Sequence, residues 1–508
     1  MIQDLLYRPI SELAQLIRAK QISPVELTRQ YIERAKQLDP QLFAFVTFTE
    51  DLAMAQARAA ESEAMKGKLR SVLQGIPWGV KDLFATNGVP TQWGSPVYEG
   101  QIFNYDATVV AKVRDAGAVL IGKLASGELA SGARWFRGTT RCPWDLTRSS
   151  SGSSAGPAAA TAAGLVGFSI GSETLGSILS PAAVNGVVGL RPTYGRVSRH
   201  GVMALSWTMD RVGPICRTVE DCARVLDEIM GSDPLDASSV DGPAVGALGE
   251  AQARQRAASK NDRPGGPRSA SATARSRKTR SASATARGRK NGPPLQPIKG
   301  KRIGVLIDEF RAASDPEVFA IFRDALKSLE SLGIVLEEGQ LADYPYQDIA
   351  RYTINVEAAC AFEPLWKTGK IDMMINKQRA ADWSAARMLP AVDYLKMQRL
   401  RSEICDYATG LFNRYAALVA PTSSSPAGFV DLPNLPVANP IGIVNAGGAL
   451  AFGSIAGLPA VSVPCGFTAS NLPLGLQFIG GAFDEAGILS IAHGYEQANR
   501  WHEKHPQL

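Results

Sequence analysis

Gly171-Ser172-Glu173-Thr174-Leu175-Gly176-Ser177-Ile178 is the stretch on which the reading of this 508-residue sequence turns. Glycine at 176 lets the backbone approach a substrate closely. The consecutive N–H groups of Thr174, Leu175, Gly176 and Ser177 can form an oxyanion hole. Two other fragments complete the set. Gly75-Ile76-Pro77-Trp78-Gly79-Val80-Lys81-Asp82 is an apolar run leading to a lysine, and Ser151-Gly152-Ser153-Ser154-Ala155-Gly156 is a small-residue loop holding serines. Together they offer the equipment of a serine hydrolase that uses lysine, not histidine, as its base.

A serine hydroxyl needs a base to take its proton. The four histidines, His200, His493, His502 and His505, all lie away from the serine-rich segments. Lysine can serve if it is neutral. Bringing its pKa from ~10.4 to near 7 takes roughly three units, about 4 kcal/mol against the charged form, and burial behind Ile76, Trp78 and Val80 can supply that. Taken singly, each fragment has a plainer reading. Lys81 can snorkel to water from a strand end. The serine loop can be a flexible linker or a phosphate loop at a helix start, although it lacks the lysine of a P-loop. Gly176-Ser177 can be an ordinary turn. Gly152–Gly156 also fits the G-x-S-x-G elbow with Ser154 as nucleophile, but that motif needs an apolar strand upstream, and Asp145–Ser151 reads as loop.

Around these fragments the chain reads as alternating strands and helices, an α/β class with a mixed, mostly parallel sheet covered by helices. The first 35 residues read as helical, with Ser23-Pro24-Val25-Glu26 as a capping box. Strands are expected at 75–80, 118–121, 302–307, 334–337, 416–420, 460–464 and 474–479. Helices are expected at 155–164, from the Thr218 cap to about Met230, at Pro316–Leu332 and from Asp484 onward.

Composition bounds the rest. The chain is 45% hydrophobic and 20% charged, ordinary for a globular protein with a large core. Its six scattered cysteines form no C-x-x-C pair, which argues against a metal site or a disulfide framework. No signal peptide is evident, so a cytoplasmic location is expected. The uncharged stretch from Leu432 to Phe483 is broken by prolines and glycines and reads as buried strands and loops, not a membrane helix. Residues 251–295 differ from everything else. They contain no aromatic residue, and Arg268–Arg275 recurs at Arg280–Arg287. From Arg254 to Lys290 there are 12 Lys/Arg against one Asp, a net of +11, which leaves −5 for the rest of a chain whose total is +6. Such a segment cannot order itself by burial and reads as a disordered basic insertion into one domain formed by 1–250 and 296–508.

Seen together, the motifs resemble those of the amidase signature family: a lysine after G-I-P-x-x-V, a serine loop, and G-x-[DE]-x-x-G-S-I. Here the last is followed by Ser180-Pro181-Ala182-Ala183 and Gly189-Leu190-Arg191-Pro192-Thr193-Tyr194-Gly195. Arg217–Asp221, Val419–Thr422, Gly457–Ala460 and Gly475–Gln477 also fit, so the resemblance spans nearly the whole chain outside the basic insertion. It implies Lys81 as base, Ser153 as bridging serine after a cis Gly152–Ser153 bond, and Ser177 as nucleophile. It also implies an acyl-enzyme held by the N–H groups of Thr174–Ser177, with no metal or cofactor. Leu175 and Leu179 depart from the common pattern, as do Ser151, Ala155 and Pro157 in the serine loop, and these changes bear on substrate preference.

The function this implies is hydrolysis of a small carboxamide. The alternative is the glutamine-hydrolysing A-type subunit of a tRNA-dependent amidotransferase. Its D-G-x-R-Y-G segment has no equivalent around Thr353–Ala358 or Trp383–Arg401. A third reading, nucleic-acid or membrane-surface binding through 254–290, has charge but no aromatic for stacking. A homodimer stays open. Pocket side chains are expected from Glu128–Arg141, Asn355–Trp366 and Ile441–Ser454, with no charge pattern that selects an acid or an amine.

Overall fold

The computed structural model describes residues 5–245, 296–311, 315–430 and 448–508. The basic segment 251–295, expected as an insertion, and the first part of the uncharged stretch, 432–447, lie outside them. One eleven-stranded sheet organises what is described. Its strands are β1 (Phe45–Phe48), β2 (Pro77–Lys81), β3 (Val119–Leu124), β4 (Phe168–Glu173), β5 (Val188–Arg191), β6 (Arg211–Cys216), β7 (Arg302–Leu306), β8 (Val335–Gly339), β9 (Ala417–Pro421), β10 (Ala460–Phe467) and β11 (Pro473–Ile479). Across the sheet they run β1-β3-β2-β4-β6-β5-β10-β11-β9-β7-β8. The seam between β5 and β10 joins the parts of the chain before and after residues 251–295, with Val461 opposite Leu190.

The sheet is mixed, as expected, but the expectation of mostly parallel strands is corrected. Six neighbouring pairs are antiparallel and four are parallel. Parallel neighbours need a long crossover, whereas β10 and β11 are joined by a tight turn at 468–472. Strands buried on both faces read as apolar runs in either case, so the sequence does not distinguish them.

The helices used below are α1 (Pro24–Leu42), α2 (Ala155–Ala162), α3 (Leu179–Asn185), α4 (Val219–Ile229), α5 (Pro316–Ser331), α6 (Tyr346–Ala361), α7 (Lys377–Ala386), α8 (Ala391–Arg414) and α9 (Glu485–Asn499). Local chemistry explains their starts. Ser23 Oγ accepts the N–H groups of Val25 and Glu26 ahead of α1. Only half of the expected capping box forms, because the Glu26 carboxylate turns to Arg29 and Gln30. Thr218 caps α4 and Asp484 caps α9. Helix α2 is wholly buried and almost all alanine and glycine. Small side chains let it lie close to the sheet and bring the serine loop at its start into the core. Among the described residues, no helix is long and apolar enough to cross a membrane.

Candidate active site

Three loops meet at the C-terminal ends of β2 and β4. Strand β2 is buried along its length and delivers Lys81 to the interior. The Lys81 side chain is 0% exposed. Its Nζ lies 2.8 Å from Ser153 Oγ, 3.0 Å from Ser172 Oγ and 3.2 Å from the Ser172 carbonyl oxygen. No carboxylate among the described residues stands at ion-pair distance. Burial therefore dominates and pushes the amine down to about 7, opposed by the more distant negative charges of Asp210 and Glu173.

The serine loop presents Ser153 after a cis Gly152–Ser153 peptide bond. Glycine is required at 152, because a Cβ there would lie 1.9 Å from the Gly132 carbonyl oxygen. Ser154 is not an elbow nucleophile. It is fully buried, its hydroxyl donates to the Ser172 carbonyl, and its N–H donates to the Ser177 carbonyl at 3.1 Å. It thus clamps the two serine loops together. Asp145–Ser149, expected as loop, is a short strand paired with Arg141–Cys142. None of its residues is buried, so it is not the apolar strand an elbow requires.

The third loop follows β4. Gly176 sits at φ +79°, a left-handed conformation that glycine adopts without strain. Glu173, 1% exposed, shapes the turn. Its Oε2 accepts the N–H groups of Ile178 (2.7 Å) and Leu179 (2.9 Å) at the start of α3, and its Oε1 pairs with buried Arg191 at 2.8 Å. The N–H groups of Thr174, Leu175, Gly176 and Ser177 meet no acceptor among the described residues. Asp210 braces the loop from the other side. Its Oδ1 accepts Thr174 Oγ1 at 2.5 Å, and its Oδ2 accepts the N–H groups of Leu205 and Ser206. Burial raises its carboxyl above the usual range.

Ser177, partly exposed, opens onto a cavity lined also by Gly152, Thr174, Leu175, Arg351, Asn355 and Arg379. Ala130, Ser131 and Gly132 come from the expected 128–141 region and Asn355 from 355–366; residues 441–447 lie outside the described set. The expectation of no selective charge pattern is corrected, since Arg351, Arg379 and Asp382 all line the wall. Of the two leucine departures, Leu175 faces this cavity, while Leu179 is packed in the core. Sequence reading missed Ser172, Asp210 and Arg379. Ser172 lay inside the quoted motif, but the other two are joined to the site only by the fold.

A buried amine on the Ser153 hydroxyl, with Ser177 opening onto a cavity shared with Gly152 and a turn whose N–H groups meet no acceptor among the described residues, is the arrangement a lysine-dependent serine hydrolase needs. Comparison with known proteins narrows that class. The family model "Amidase" matches residues 26–291 and 270–489, and the chain belongs to the amidase signature family. The A-type subunit of the glutamyl-tRNA(Gln) amidotransferase of Moorella thermoacetica is 35% identical, with 99% of each chain covered. Among solved structures, the peptide amidase of Stenotrophomonas maltophilia matches at 28% identity and TM-score 0.76, covering 97% of each chain. The corresponding A-type amidotransferase chain of Thermotoga maritima matches at 28% and TM-score 0.72, covering 97% of this chain and 95% of that one.

Proposed function

We propose that the chain hydrolyses a carboxamide C–N bond through an acyl-enzyme on Ser177. Neutral Lys81 takes the proton of Ser153, which takes the proton of Ser177. The Ser177 oxygen attacks the carbonyl carbon, and the carbonyl electron pair moves onto oxygen, where the N–H groups of Thr174–Ser177 receive it. On collapse the C–N bond breaks and the relay returns its proton to the leaving nitrogen. Water then repeats the sequence on the ester. The observation that carries this reading is the 2.8 Å contact between a desolvated, carboxylate-free lysine and Ser153. A fluorophosphonate, which phosphonylates activated serines, tests it without knowledge of the substrate. The label is expected on Ser177, with none taken up by Ser177→Ala. Equal uptake by that variant removes the assignment.

The setting of this chemistry is a second question. The full-length match to A-type chains of glutamyl-tRNA(Gln) amidotransferases weighs toward a glutamine-hydrolysing component of a complex over a stand-alone amidase. The missing D-G-x-R-Y-G segment weighs the other way. Co-purification with partner chains and release of ammonia from glutamine favour the amidotransferase role. Amide hydrolysis by the lone chain without glutaminase activity favours the amidase.

A further inference from the structure

The cavity over Ser177 holds a cation that the hydrolytic steps do not use. Arg379 lies in α7 and shares the cavity wall with Thr174, Leu175 and Ser177. Its position is built by the fold. Buried Glu128 accepts the N–H groups of Ile375 (3.1 Å) and Asn376 (2.7 Å), and Asn376 Oδ1 caps the helix on the N–H of Arg379 itself (3.0 Å). The guanidinium stands 5.0 Å over the ring of Trp383, which is fully buried and stacks on Phe362. Stacking engages the face of a guanidinium and leaves its in-plane donors for a planar acceptor.

Those donors find none among the described residues. Nε is shut off from solvent without a partner. The wall carboxylate, Asp382, is not at ion-pair distance and has its Oδ1 engaged by Gln378 Nε2 at 2.8 Å. Burial pushes the guanidinium down to about 10, opposed by the negative charges of Glu128, Asp382 and Asp210, none of which stands at ion-pair distance. A largely buried charge with no carboxylate in contact is costly unless a ligand supplies one. Arg351, on the facing α6, adds a second positive charge to the same wall.

We infer that Arg379 binds a carboxylate on the acyl part of the substrate, so that the enzyme selects small carboxamides bearing an anionic group a few bonds from the scissile amide. The inference rests on the amide-hydrolase reading above. A charge-assisted, bidentate contact of this kind is worth about 10- to 100-fold in affinity.

The test measures how well small amides protect Ser177 of the full chain from fluorophosphonate labelling. Succinamate is compared with succinamide, and each with its homologues one carbon shorter and longer, so that the members of a pair differ only in a distal carboxylate or carboxamide. At least one monoamide acid is expected to protect about tenfold better than its diamide. Arg379→Gln is expected to weaken protection by that acid tenfold or more and by the diamide less than threefold, with Arg379→Lys intermediate. Equal protection by acid and diamide, equal weakening of both in Arg379→Gln, or no protection by any of them overturns the inference. Labelling of Ser177→Ala as fast as wild type overturns the underlying amide-hydrolase reading instead.

Discussion

Lys81 and Lys123 sit on adjacent parallel strands, β2 and β3, with Val80 opposite Lys123 and Lys81 opposite Leu124. Both side chains are fully buried, and burial pushes both amines down. Their partners differ. Lys123 Nζ lies 3.2 Å from Asp82 Oδ1 and donates to the Phe84 carbonyl (2.8 Å) and Thr91 Oγ1 (2.5 Å). Lys81 meets two serines and a carbonyl oxygen. A carboxylate at contact opposes desolvation, and although burial still lowers the Lys123 amine and raises the Asp82 carboxyl, the direct 3.2 Å contact ties the two together as a structural pair. Hydroxyls favour the ammonium far less than a carboxylate does, so burial prevails and pushes the Lys81 amine down to about 7. On the proposed mechanism, the same residue type at the same depth is a structural post or a base according to what its amine touches.

Substitutions at the two positions are expected to separate these roles. Lys81→Met is expected to slow fluorophosphonate capture at Ser177 by about 10³-fold or more, while folding stability holds or rises because no partner charge is stranded. Comparable capture rates in variant and wild type break the comparison. Lys123→Met is expected to do the reverse. It strands the Asp82 carboxyl, held then mainly by the Gln92 N–H at 2.9 Å, and costs about 3–5 kcal/mol in chemical denaturation.

The pH dependence follows from the sign of the shift. The Lys81 pKa is depressed in the folded chain, so above about 7 the unfolded chain binds more protons there and stability rises with pH. Relative to Lys81→Met, the wild type is expected to gain roughly 2 kcal/mol between pH 7 and 9 in urea titrations. A flat difference says that the amine keeps its proton. The smallest effect is expected at Ser172, whose Oγ accepts from the amine at 3.0 Å and so favours the ammonium. Ser172→Ala is expected to move the acidic limb of Ser177 capture from about 7 downward by less than about one unit. An upward move contradicts the assigned polarity of that bond.

The residues proposed as catalytic were legible as candidates because each lies in a contiguous apolar or small-residue run whose types and spacing suggest the chemistry. Glu173 stood in the same run, yet its task depends on Arg191 and on two N–H groups beyond the nucleophile. Asp210 and Arg379 were not legible. Each is an ordinary charged residue in sequence and acquires meaning only when a loop before β6 or a helix some 200 residues beyond the nucleophile closes on the cavity. Seven of the eleven strands were located, with Lys81 ending β2 as expected, but β1, β4, β5 and β6 were not foreseen, and strand direction was not legible, because burial on both faces erases the alternation that marks an antiparallel edge. Lys123 shows the limit most clearly, for nothing in Gly122-Lys123-Leu124 signals that Asp82 waits across the ladder.

The state of the Lys81 amine is open to direct measurement. Nitrogen-15 NMR of the lysine-labelled chain, with the Lys81 resonance assigned by its loss in Lys81→Met, reports the titration of Nζ itself. A midpoint near 7 is the expected result. An amine that keeps its proton beyond pH 9 contradicts the account, because Ser153 then has no base to receive its proton at neutral pH.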